Sequence, residues 1–270
     1  MNKKTTFLVV IFSISLIFVF ASIFREDVEV YESSLYSWKL DKVLEDLEKF
    51  YEVLEEYNVK VLYQDFSSEF LEENDDSFLK NMSEREIGVY HLAGDPSWGH
   101  SEGYEKIKRE IKKVLSYNEK VDNPIKGIIL DIEPYVSEKN EEFSVEDFEV
   151  YVDQIEKSYE YCQKHELEMR LAIPYWFDSI DDDLLKKVIK NSDGVSVMNY
   201  NISKTSSKIE REVELANRYG KKIDSIYEIE YGKEGYFASK EDIFEDFAKL
   251  KEENPSENLM ISYHHYGSMG

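Results

Sequence analysis

A single cysteine in 270 residues, Cys162, leaves no partner for an internal disulfide. It falls in a predicted helix without an evident histidine partner, which reads as a small core residue rather than a nucleophile. Basic charge is also in short supply. The chain has 33 Lys and Arg against 57 Asp and Glu, a formal net charge of −24, and no basic patch. That balance disfavours nucleic acid and anionic lipid headgroups as partners of the globular part, and it is compatible with a neutral substrate such as a sugar. Also absent are a Cys/His metal spacing, a phosphate-binding glycine loop and a Gly-x-Ser-x-Gly nucleophile turn, so the expected chemistry uses no metal and no cofactor. No low-complexity linker interrupts the chain, and no motif points to a protein partner.

What is present starts with a charge-free run from Phe7 to Phe24, between Lys3-Lys4 and Arg25-Glu26-Asp27. Its length lies between a signal-peptide core and a full span of ~20 residues. Residues 1–27 are therefore predicted to be an N-terminal membrane anchor, with Lys3 and Lys4 cytoplasmic and the rest of the chain outside. Cleavage after Val19-Phe20-Ala21 would instead release a secreted protein.

Residues 28–270 read as one domain. Short apolar strands are predicted at Leu35–Trp38, Val59–Gln64, Ile87–Leu92, Gly127–Ile132, Met169–Pro174, Gly194–Asn199, Lys222–Ile229 and Asn258–His264. Amphipathic helices are predicted between them, at Asp41–Tyr57, Asp76–Arg85, Gly103–Tyr117, Val145–His165, Asp181–Asn191, Ser206–Tyr219 and Lys240–Glu252. This alternation predicts an α/β fold, a (β/α)8 barrel whose last helix is short or missing, with an open doubly wound sheet as the alternative.

Strand four carries the most informative residues. Positions 126–134 read Lys-Gly-Ile-Ile-Leu-Asp-Ile-Glu-Pro, which sets Asp131 and Glu133 two apart at the end of an apolar strand. Alternation points both side chains to the same side, about 6–7 Å apart along the backbone. Two acids held that close and partly shielded from water oppose each other's ionisation, which suits a general acid.

In a (β/α)8 barrel the active site forms at the C-terminal ends of the strands. Here those ends are polar and aromatic on almost every strand. Trp38 closes strand one, Asp65 strand two and His91 strand three. Tyr175 and Trp176 follow strand five, Met198, Tyr200 and Asn201 close strand six, and Glu228 and Glu230 strand seven. Strand eight ends in Tyr263-His264-His265-Tyr266, from which Tyr263 and His265 are taken as candidate contacts; only one of the adjacent histidines is expected to face the site. Flat rings that stack on sugar C–H faces, alternating with groups that bind hydroxyls, are the composition of a carbohydrate cleft. Met198 reads equally well as barrel packing.

Strand four resembles the signature of glycoside hydrolase family 18, the chitinases and related endo-N-acetylglucosaminidases, which reads Asp-x-x-Asp-x-Asp-x-Glu. Strand six, Val197-Met198-Asn199-Tyr200-Asn201, is similar to the family's Met-x-Tyr-Asp segment. The resemblance spans the barrel, roughly Leu35 to His265, and implies a TIM barrel that cleaves an N-acetylhexosamine-containing glycan with retention. It implies that Glu133 is the general acid and then the base, and that the substrate's 2-acetamido carbonyl is the nucleophile. Asp131 would accept the acetamido N–H, and Tyr200 would donate to the attacking carbonyl. The chain departs from the pattern at Lys126 and Ile129, where the family has acids, and at Asn201. Strand eight also lacks the tryptophan that usually floors the family's sugar site.

Two other readings stand beside this one. Glu133 on strand four with Glu228 or Glu230 on strand seven would make a two-glutamate retaining glycosidase, whose carboxyl groups lie about 5–5.5 Å apart. Loss of two signature acids also fits a non-catalytic cell-surface barrel that binds glycan or acts as a scaffold.

Overall fold

The computed structural model describes residues 31–73, 75–136, 143–200, 208–231 and 234–269. The apolar run expected to anchor the chain lies outside them, and among the described residues no helix is long and apolar enough to cross a membrane. Eight strands run in sequence order: β1 (Ser33–Ser37), β2 (Val59–Gln64), β3 (Gly88–Ala93), β4 (Gly127–Asp131), β5 (Glu168–Pro174), β6 (Gly194–Met198), β7 (Lys222–Glu228) and β8 (Leu259–His264). Each pairs in parallel with the next, and β8 pairs with β1. That closure excludes the open sheet.

The strands are buried on both faces, one by the barrel interior and one by helices, and the outward face is largely apolar. Tyr36, Tyr63, Tyr90, Leu92, Ile129, Met198 and Ile226 form a buried cluster. Their neighbours in sequence, such as Leu35, Leu62, Ile128, Leu130, Val197 and Tyr227, are equally buried.

Capping residues set the helix boundaries. The one helix expected over 41–57 is two, α1 (Leu40–Glu45) and α2 (Leu47–Glu56). Asp46 leaves the helical region at φ −147° and its carboxylate accepts the Lys49 N–H at 3.1 Å, so it starts a new helix rather than continuing the old one. A short α3 (Ser68–Glu72), capped by Ser67, is an element the sequence pattern does not announce. Next come α4 (Ser77–Glu84), α5 (Gly103–Asn118) and α6 (Val145–Lys164), the last opened by a reciprocal cap between Ser144 and Asp147. Among the described residues there follow α7 (Phe177–Ile180), α8 (Asp182–Lys190), α9 (Glu210–Tyr219) and α10 (Lys240–Glu253). Gly220, at φ +64°, stops α9. After β8 the chain makes a single 3₁₀ turn, Tyr266–Ser268, whose Tyr266 ring meets Phe50 of α2 edge-on at 4.9 Å.

The lower half of the barrel interior is charged. Asp224 of β7 accepts hydrogen bonds from Ser34 (3.2 Å), Ser196 (2.8 Å) and the Tyr63 hydroxyl. The same Tyr63 oxygen accepts an N–H from Arg170 of β5 at 2.9 Å, and the Arg170 guanidinium lies 4.4 Å from the Tyr90 ring centre. A buried cation and a buried anion are thus joined through one phenol. Each ion offsets the other's charge, the main condition for tolerating ions in such a place, although Arg170 Nε and Asp224 Oδ1 have no hydrogen-bond partner among the described residues.

The upper half positions the candidate site. Gly94, just after β3, passes so close to β4 that a Cβ there would lie 1.8 Å from the Asp131 carbonyl oxygen. At Gly99 a Cβ would come within 2.5 Å of the Pro134 side chain. The β3–α5 connection is therefore pressed against the segment that carries both acids, and only glycine permits the contact. Gly94→Ala is expected to cost about 1–3 kcal/mol, the usual penalty for overpacking, because backbone rather than a flexible side chain must yield. A lowered thermal midpoint together with weaker substrate turnover would bear this out; an unchanged midpoint would refute it.

Candidate active site

Asp131 is the last residue of β4, and Glu133 follows two residues later, half-buried at the barrel mouth. One carboxylate oxygen of Asp131, Oδ1, is buried without a hydrogen-bond partner among the described residues. Burial pushes the Asp131 carboxyl up to about 7, the charge of Glu133 pushes it the same way, and His264 opposes both. Ile129, which stands where the resembling family has an acid, belongs to the apolar cluster within the barrel. Asp131 therefore has a hydrocarbon neighbour below it where an acid could have shared its proton. No lysine or arginine pairs with Asp131 or Glu133 among the described residues.

Two phenols face the acids. Burial raises the pKa of Tyr135, with Glu133 and Asp131 adding to the shift, and a hydrogen bond with Glu133 contributes to it. Tyr200, just beyond β6, is raised first by burial and then by Asp131, Glu228 and Glu133 in turn. Its neutral hydroxyl thus lies within electrostatic reach of carboxylates from both β4 and β7, a donor placed among acceptors.

Across the mouth, β7 and β8 pair Glu228 with His264. His264 Nδ1 lies 2.9 Å from Glu228 Oε2, and the Trp38 indole N–H donates to His264 Nε2 at 3.2 Å. An indole N–H can only donate, so Nε2 must accept, and the hydrogen-bond pattern assigns the proton to Nδ1, which donates to Glu228. The His264 ring also lies 5.7 Å from the Tyr200 ring. Trp38, His264, Glu228 and Tyr200 are thus one connected wall opposite Asp131 and Glu133.

No protein-family model matches the sequence, and no curated protein is similar to it. Solved structures do share its architecture. A chitinase of glycoside hydrolase family 18 from Pseudoalteromonas aurantia superposes with a TM-score of 0.55 at 13% identity, over 87% of this chain and 94% of that one. A family 18 N-acetylglucosaminidase from Paenibacillus barengoltzii gives 0.54 at 12% identity, over 88% and 96%. A D-psicose 3-epimerase from Clostridium cellulolyticum gives 0.54 at 10% identity, over 86% and 84%. The fold is that of a TIM barrel. At such identities the likeness is one of fold, and the chemistry has to be argued from the residues.

The TIM barrel gathers some of the expected contacts and disperses others. Trp38, Asp131, Glu133, Tyr200 and Glu228 converge at its mouth, as described above. Trp176 stands against Tyr135 at 4.8 Å between ring centres, which brings it to the edge of the acid cluster. Tyr175 is half-buried beneath Lys208, whose ammonium lies 4.6 Å from the ring centre. Met198 is in the inner cluster, 8% exposed, so packing accounts for it. Asp65 is half-buried near Glu110 of α5, and burial followed by that charge raises its pKa. Asn201 lies outside the described residues. Cys162 is fully buried, and burial pushes its thiol up to about 12, as a core residue requires.

Two expected contacts are turned the other way. His91 points out of the barrel wall, where its Nδ1 accepts the Phe66 N–H at 3.4 Å and its Nε2 lies 4.0 Å from Glu110 of α5; burial lowers its pKa to about 4. Tyr263 is fully buried on the outer face of β8, edge-on to Tyr57 at 4.8 Å. The cause is strand parity: Tyr90 on β3 and His264 on β8 take the inward positions, and their neighbours must face the helices. His265 turns to a hollow at the rim, leaving His264 as the histidine at the site's centre. Sequence reasoning missed His264 and Tyr135. The ladder gives the missing signal for His264, since it is the register partner of Glu228.

Proposed function

We propose that this barrel is a retaining glycosidase that cleaves an N-acetylhexosamine-containing glycan with help from the substrate's own acetamido group. The observation that carries the reading is the buried Oδ1 of Asp131 beside Glu133, which has neither a hydrogen-bond partner nor a lysine or arginine counter-cation among the described residues. An acceptor so placed costs stability unless a ligand donor occupies it. An acetamido N–H would supply that donor.

Glu133 protonates the glycosidic oxygen as the acetamido carbonyl oxygen attacks the anomeric carbon and the leaving sugar departs with the proton. Asp131, accepting the acetamido N–H, offsets the positive charge that spreads over the ring formed. Tyr200 donates to the carbonyl oxygen and orients it. Glu133, now ionised, takes a proton from water, which opens the ring and restores the acetamido group with configuration retained. Trp38 and Trp176 offer flat faces for the sugar rings. On this reading the domain works outside a membrane, held by the apolar segment of residues 7–24 or released if that segment is cleaved.

A second reading uses Glu228 as nucleophile, favoured by its facing the same Tyr200 hydroxyl as Glu133 does. Chito-oligosaccharides, peptidoglycan fragments and matched glycosides lacking the 2-acetamido group, assayed with wild type and Glu133→Gln, separate the readings. Cleavage restricted to acetamido substrates and lost in the variant supports the first. Equal cleavage of glycosides without the acetamido group supports the second. Binding without any turnover supports a non-catalytic glycan-binding barrel.

A further inference from the structure

Next to the candidate site, at the C-terminal ends of β1 and β8, the barrel rim encloses a hollow of about 380 Å³ lined by Ser37, Trp38, Lys39, Lys42, His265, Tyr266 and Gly267. That volume accommodates one sugar ring with a substituent. Trp38 belongs to this hollow and also to the wall formed by His264 and Glu228, so a ligand here adjoins that wall of the candidate site.

The chemistry of the lining is unlike that of the rest of the molecule. The chain has 57 acids, yet among the described residues no carboxylate lines this hollow, Glu228 and Glu230 acting on His265 from outside the lining. Three other hollows among the described residues each include at least two. The groups offered here are donors. Lys42 shares its ammonium with Glu45 at 2.8 Å, whereas Lys39 is in no ion pair among the described residues. His265 accepts the Gly267 N–H at Nδ1 (3.1 Å), so its ring proton is on Nε2. One unpaired cation, a second ammonium shared with a surface acid and a ring N–H, beside two aromatic faces, form a site for a single negative charge on a sugar. A dianionic phosphate would leave one charge uncompensated.

We infer that this hollow binds a carboxylate carried by the glycan, on a sugar adjoining the scissile linkage. The net charge of −24 repels acidic glycans at long range, so selection for one must come from a local feature such as this. The inference rests on the glycosidase reading for its place in a reaction, but its binding chemistry is testable separately.

The test uses the full-length protein and three probes: a tetrasaccharide alternating N-acetylglucosamine with N-acetylmuramic acid, its methyl ester, and the neutral N-acetylglucosamine tetramer. Wild type is expected to favour the free acid over its ester by at least about ten-fold in kcat/KM, carried by KM, as loss of a charge-assisted contact predicts. In Lys39→Gln that ratio should fall towards one. Equal turnover of acid and ester by wild type overturns the inference while leaving the glycosidase reading standing. If no probe is cleaved, calorimetry on Glu133→Gln decides: a salt-sensitive preference for the acid that Lys39→Gln removes supports the hollow's role and overturns the glycosidase reading. No such preference overturns both.

Discussion

Glu133→Gln is expected, on the proposed mechanism, to lower kcat on an N-acetylglucosamine oligomer by roughly 10²–10⁴-fold, the contribution of one positioned acid–base group, and to leave the fold intact. The side chain is half-buried and in no ion pair with lysine or arginine among the described residues, so the amide removes the proton without stranding a partner charge. Steady-state kinetics set beside a thermal melt make the check. A variant that retains wild-type turnover would remove Glu133 from the mechanism, and one that fails to fold would give it a structural role instead.

Asp131→Asn changes activity and stability in opposite directions. The Asp131 carboxyl is held at about 7 in the folded chain, against an ordinary value of 3.8, mainly by burial. Its raised value means that the folded state holds a proton the unfolded state has already released. The associated stabilisation is full below pH ~4 and disappears as pH rises through about 7. Above that range the wild type carries a buried charge with one unpartnered oxygen, and the amide does not. At pH 8 the Asn variant is expected to be more stable by roughly 2–4 kcal/mol, since each ten-fold change in acidity is worth about 1.4 kcal/mol, and the two proteins should converge near pH 4. Turnover should fall about a hundred-fold, because an amide offsets no positive charge. Melts across pH 4–8 test the stability claim, and coinciding curves at pH 8 would contradict it.

Much of the barrel was legible because parallel strands buried on both faces must be continuous apolar runs, and all eight stood out between polar helices. Their observed ends fall within two residues of the expected ones. Asp131 and Glu133 were legible for the same reason: acids at the end of such a run are conspicuous. Capping hid the break at Asp46, since an acid within an amphipathic stretch reads as an exposed helical residue until its carboxylate is seen on the Lys49 N–H. Parity hid the inward histidine. The run Tyr263-His264-His265 shows which residues lie near the mouth, but only the pairing of β7 with β8 shows which of them enters it. The contact between Trp38 and His264 joins the first strand to the last, and nothing local in sequence announces it.

The phenol-bridged ions beneath the site bear on how the chain finds its alignment. Arg170, Tyr63 and Asp224 come from β5, β2 and β7, three staves that do not touch one another in the sheet. Sliding any one of them by two residues would keep the same side facing inward and the apolar residues between on the helix-covered face, so hydrophobicity alone would accept the error. The slip would part the guanidinium from the carboxylate and strand both in hydrocarbon, at a cost of several kcal/mol for each ion. The trio therefore acts as a combination lock on strand alignment, and through that alignment it sets the height at which Asp131, Tyr200 and Glu228 emerge together.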